Sequence, residues 1–103
     1  MAVTRFREDK VRRRNIVANF ALGCITATMV DLHEKSLIRK LLDVQSIDRN
    51  AAQSLARNQN HIEISANQHA NWGSKGAHVD RLHVALMSAL EVDTHYKVNV
   101  PTA

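Results

Sequence analysis

Apolar positions along the chain change their spacing several times, and each spacing predicts an element. The first stretch, from about Thr4 to Val30, begins charged and ends apolar. Glu8 with Arg12 and Asp9 with Arg13 sit at i,i+4 spacing, which supports a helix. Residues 15–30 are apolar on almost all sides, as in a helix buried on several faces. Asp31 and Glu34 have the spacing of a capping box, which predicts a new helix start or a kink. Leu37, Ile38, Leu41 and Leu42 then form one stripe among Lys35, Arg39, Lys40 and Asp43, an amphipathic helix of about three turns.

Residues 45–71 carry a narrower stripe: Ile47, Ala51, Leu55, Ile62 and Ala66. It fits a long helix making a slim contact, with Ser46 or Asp48 as its cap. Ile62 and Ile64 are β-branched and alternate, so a strand stays open at that point. Residues 72–76 (WGSKG) read as a loop. Val79, Leu82, Leu86, Ala89 and Leu90 stripe a last helix ending near Val92. The polar tail after it alternates Tyr96, Val98 and Val100, as a short edge strand or extended docking segment would.

Composition pushes the same way. Pro101 is the only proline, Gly23 is the only glycine between Thr4 and Asn71, and no Asn-Gly or Asp-Gly pair signals a hairpin. The expected fold is therefore all-α. It is a small bundle or elongated set of about four helices in a single domain over residues 1–103. Residues 1–14 form a basic helical arm, 15–92 the helical body and 93–103 an extended tail. A chain of 103 residues is too short for a complete dinucleotide-binding enzyme or a barrel. Its aromatics are Phe6, Phe20, Trp72 and Tyr96, so the core must be aliphatic and gains from neighbouring chains. The single cysteine, Cys24, excludes an internal disulfide and a cysteine-based zinc finger and fits a cytoplasmic location.

Charge changes the picture. The net charge of +4 sits entirely in the first 14 residues, and the remainder carries eight charges of each sign. Arg5, Arg7, Lys10, Arg12, Arg13 and Arg14 are the candidate polyanion-binding residues. The arm runs straight into the apolar stretch, which permits a membrane-active reading with residues 16–30 inserted. As a span that stretch is short, because about 15 residues rise roughly 22 Å against a hydrocarbon core of about 30 Å. Glu8 and Asp9 also argue against a cleaved signal.

Candidate chemistry is sparse. His33-Glu34 lacks the second histidine of a metalloprotease helix, because Leu37 stands there. His61-x-Glu63 lacks the paired cysteines of a zinc deaminase. Residues 73–76 (GSKG) lack the pattern of a phosphate loop. Nine of residues 45–71 are Asn or Gln, and amides bond across helix interfaces without a fixed charge, so Ile47, Leu55, Ile62 and Trp72 are the candidate interface.

No catalytic set, metal or cofactor is expected. The reading is a non-enzymatic structural or assembly subunit of a larger complex, for which a virion component fits. Its partners would be copies of itself or other subunits, with the arm on nucleic acid or an acidic neighbour. It would sit in the cytoplasm or within a virion or other large assembly. The alternatives are a nucleic-acid-binding accessory or regulatory protein and the membrane-active component.

Overall fold

The computed structural model describes residues 17–73, 75–85 and 89–99. Its centre is a parallel sheet, so the all-α expectation is corrected. Strand β1 (Ala21–Ile25) leads through helix α1 (Ala27–Glu34) to strand β2 (Leu41–Ser46). Helix α2 (Arg49–Arg57) then leads to strand β3 (His61–Glu63). The strands lie in the order β1-β2-β3, parallel throughout. Helices α1 and α2 pack on each other and both touch β2, so they cover one side of the sheet together.

The apolar run that resembled a buried helix is β1 followed by the start of α1. Strand β1 is an edge strand, half-buried except for exposed Cys24 and buried Ile25, yet its residues form a continuous apolar run, and periodicity cannot separate such a run from a buried helix. Gly23 sits at φ +117, where the β1–β2 register shifts by a bulge. A side chain there would be strained, so glycine is required by the backbone. The pairing extends upstream, where Ala18 bridges Ile38.

Helix α1 ends where a new helix was expected to begin. Lys35 holds Asp31 at 3.0 Å across its last turn. Ser36 turns the chain with φ +61, and His33 Nδ1 donates to the Ile38 carbonyl at 2.7 Å, closing the turn into β2. Leu41 and Leu42, expected on an amphipathic helix, open β2 instead. The core gathers Ile25, Val30, Leu32, Leu37, Ile38, Leu41 and Ala51. Burying each large aliphatic side chain contributes roughly 1.5–3 kcal/mol.

The long helix expected over 45–71 is three elements. Asp48 does cap a helix, but α2 stops at Arg57, and the Ile62–Ile64 alternation lies in and just after β3. A short helix α3 (Ala66–Ala70) follows. The chain then crosses back toward β1: Phe20 packs its ring 6.4 Å from that of His78, and His69 approaches Gly23. The last helix is replaced by a 3-10 turn (His78–Arg81) and a hairpin of β4 (Glu91–Val92) and β5 (Val98–Asn99).

Candidate functional site

Strand β2 carries a carboxylate through the middle of the sheet. Asp43 is only 1% exposed. A buried ionisable group costs several kcal/mol unless hydrogen bonds satisfy it, and neighbouring elements supply them. The register sets Leu41 opposite His61, so Asp43, two residues on from Leu41, shares a face with His61. His61 Nε2 lies 3.0 Å from Asp43 Oδ2, and His61 Nδ1 lies 3.0 Å from Ser54 Oγ. Ser46 donates its hydroxyl to the same Asp43 oxygen. Ala51 and Ser54 are three apart on α2, and both are small and buried, which lets the helix approach the histidine closely.

The result is a relay, Ser54–His61–Asp43–Ser46, that ties α2 to two strands. Donor logic orders it. Asp43 Oδ2 accepts, so His61 carries a hydrogen on Nε2, and in its neutral form Nδ1 accepts from Ser54. Asp43 Oδ1 is buried and accepts no hydrogen bond among the described residues.

An aspartate, a histidine and a serine in contact have the composition of a nucleophile relay. Ser54 also lines a groove with Glu34, Arg57, Asn58 and Asn60. Acyl transfer needs N–H donors where the oxyanion forms. This groove lies at the C-terminal end of α2, where the Ser54 carbonyl accepts the Asn58 N–H at 2.8 Å and helix carbonyls dominate. The arrangement therefore suits an internal tie rather than an attacking serine.

The other edge of the sheet is where open parallel sheets bind ligands. There Asp48 serves two helices at once. Its Oδ1 accepts from Ala51 N–H at 2.9 Å and its Oδ2 from Ala27 N–H at 2.6 Å. The Ala51 N–H chiefly, then the Ala27 N–H, hold the carboxyl below its usual value near 3.8, against a smaller opposing effect of desolvation. At α3, Ser65 and Gln68 form a reciprocal capping box. The starts of α1, α2 and α3 are thus met by the chain's own polar groups.

The residues singled out from sequence fall elsewhere. Arg5, Arg7, Lys10, Arg12, Arg13 and Arg14 lie outside the described residues. Ile47, Ile62 and Trp72 are exposed, and Leu55 is half-buried. In the loop at 72–76, Gly76 N–H donates to Asp80. Among the described residues no group of three metal-ligating side chains forms. Sequence alone singles out neither Asp43 nor Ser54, and it leaves His61 as part of an incomplete deaminase pattern or as a surface or interface histidine, whereas His61 is buried. The available signal was a lone acid inside Leu41-Leu42-Asp43-Val44, a charge in a run otherwise suited to a buried strand.

Fold and site together define a parallel α/β unit with a buried polar relay and a self-capped carboxyl edge. Comparison with known proteins makes the assignment specific. The family model for the citrate lyase alpha subunit (CitF) matches residues 1–103, and the chain belongs to that family. It is 76% identical over 102 residues to the citrate lyase alpha chain of Escherichia coli K12 and 67% identical to that of Haemophilus influenzae. Each alignment covers 99% of this chain and 20% of the relative. A citrate lyase alpha subunit from Streptococcus mutans, solved in complex with citrate, superposes with a TM-score of 0.86 at 50% identity. That match covers 98% of this chain and 20% of the other. The chain thus spans about one fifth of the length of the relatives it matches.

Membership in this family corrects four expectations. The relatives are subunits of an enzyme, so the non-enzymatic reading falls. The virion and nucleic-acid-binding readings fall with it. So does membrane insertion of residues 16–30, whose described part builds β1 and the start of α1. Among the described residues no helix is long and apolar enough to cross a membrane.

Proposed function

We propose that this chain is a segment of a cytoplasmic citrate lyase alpha subunit and works within a multi-subunit enzyme acting on citrate. The observation that carries this reading is the citrate complex of the Streptococcus mutans subunit, which shares the fold at 50% identity. At the carboxyl edge Asp48 accepts N–H groups from the first turns of α1 and α2, and Ser65 accepts one from α3. Citrate would be held together with groups that the rest of the alpha chain brings. Ile47, Leu55, Ile62 and Trp72 are proposed as residues against which other segments or subunits pack.

The test is calorimetric titration of citrate into an alpha chain of full family length carrying this sequence, and into residues 1–103 alone. Binding by the long chain and none by the short one is expected. Citrate consumption by the long chain mixed with its partner subunits should accompany that binding. A long chain that neither binds nor turns over citrate would sink the proposal. Equal citrate affinity in both would move the binding site onto this segment.

A further inference from the structure

Strand β2 departs from regular alternation at one residue. Asp43 pairs with Gly23 and Gln45 with Cys24, so Val44 stands between them with no partner in the ladder. Residues three apart on a regular strand face opposite sides of a sheet. The extra residue turns Ser46 back onto the side of Asp43, as bulges do where they re-aim a side chain. Ser46 is the last residue of β2, at the carboxyl edge, and it is half-buried. Its hydroxyl hydrogen is donated to Asp43. The Ser46 oxygen accepts no hydrogen bond among the described residues, so its lone pairs remain free. Ser46 is therefore a fixed acceptor, oriented by the buried relay beneath it.

We propose that Ser46 accepts a hydrogen bond from the hydroxyl of bound citrate and so distinguishes it from a tricarboxylate lacking that hydroxyl. This rests on the reading that the alpha subunit binds citrate, and it adds which group of the ligand this segment meets. Citrate carries one hydroxyl among its carboxylates. When the carboxylates are ionised, only the hydroxyl can donate to a fixed acceptor. Charge gives the same orientation. Asp43 touches Ser46 from one side and Asp48 follows two residues on, so a ligand carboxylate placed here would meet like charge. The carboxyl edge is also the side from which a ligand reaches an open parallel sheet. A site that pairs a ligand hydroxyl rejects the analogue without it, because the acceptor is then left unpaired.

Calorimetric titration of citrate and of tricarballylate, which is citrate without its hydroxyl, into an alpha chain of full family length tests this. The readout is the ratio of the two affinities within one protein, because a merely structural role of Ser46 would move both together. The native chain is expected to prefer citrate by at least about tenfold. Ser46→Ala should lower that ratio to within about threefold of unity, chiefly by weakening citrate. Ser46→Thr, which keeps the hydroxyl, should retain the preference. If Ser46→Ala does not fold, Ser46→Cys, close in size and a weak acceptor, gives the same comparison. A ratio unchanged in the alanine or cysteine variant would overturn the inference and leave citrate binding by the alpha subunit standing. A native chain that binds both ligands equally would overturn it as well. A native chain that binds neither would sink the reading on which it rests, and the inference with it.

Discussion

The segment from Ala21 to Ile64 holds Ile25, Leu32, Leu41 and Ala51 almost wholly away from water, whereas beyond Ile64 only Ala77 is buried among the described residues. Both segments carry large apolar side chains. In the first, parallel pairing and two covering helices bring them together. In the second, Trp72, Val84 and Tyr96 are each more than 70% exposed. The difference teaches that the βαβαβ unit is stabilised by contacts within this chain, while the described segment after it leaves most of its large apolar side chains in water. Substitutions should therefore be costly in one region and nearly silent in the other.

The largest effect belongs to the buried relay. His61→Leu removes the partners of Asp43 and Ser54 together and leaves a carboxylate buried with only Ser46. The expected loss is about 4 kcal/mol in urea unfolding. Adding Asp43→Leu should recover part of that loss, because the uncompensated charge leaves with it. A single substitution costing under about 1 kcal/mol would mean that the relay is not what holds α2 to the sheet.

Next comes a paired measurement across the two regions. Leu41→Ala opens a cavity at a position with no exposure and should cost about 3 kcal/mol. Val98→Ala in the same chain should stay within about 0.5 kcal/mol, since its side chain is already 58% exposed. Comparable losses at both positions would erase the contrast between the regions.

Much of this contrast was hidden in the sequence for physical reasons. Sparse glycine and proline and missing hairpin pairs point to helices, but parallel strands are joined by helices and need no hairpin turn. Phe20 to Ile25 is a continuous apolar run, which strands and buried helices share, and Leu37, Ile38, Leu41 and Leu42 keep helical spacing although Leu41 and Leu42 open β2. Asp48 as a cap and the Ile62–Ile64 alternation were legible because each is a local signal. The relay was not, because Asp43, Ser54 and His61 meet only through strand register and helix packing. Function was beyond reach for a related reason: active sites are assembled in space from distant segments, and this chain aligns with one fifth of its relatives.

The smallest effect is confined to acid and belongs to the joint between α1 and α2. Asp48 accepts from the first turns of both helices, which lowers its folded-state pKa below the usual value near 3.8. A depressed carboxylate contributes stability that is fully present above its unfolded-state pKa. That contribution fades as pH falls through the lower folded-state value. Asp48→Asn keeps an acceptor for Ala51 but cannot also accept from Ala27 through its amide nitrogen, and it does not titrate. The stability difference between the native chain and this variant should hold constant above about pH 5 and shrink below about pH 4. Urea unfolding monitored by circular dichroism at successive pH values measures it. A difference that persists unchanged to the acid limit of the folded state would show that Asp48 is not the charge coupling the two helices at the carboxyl edge.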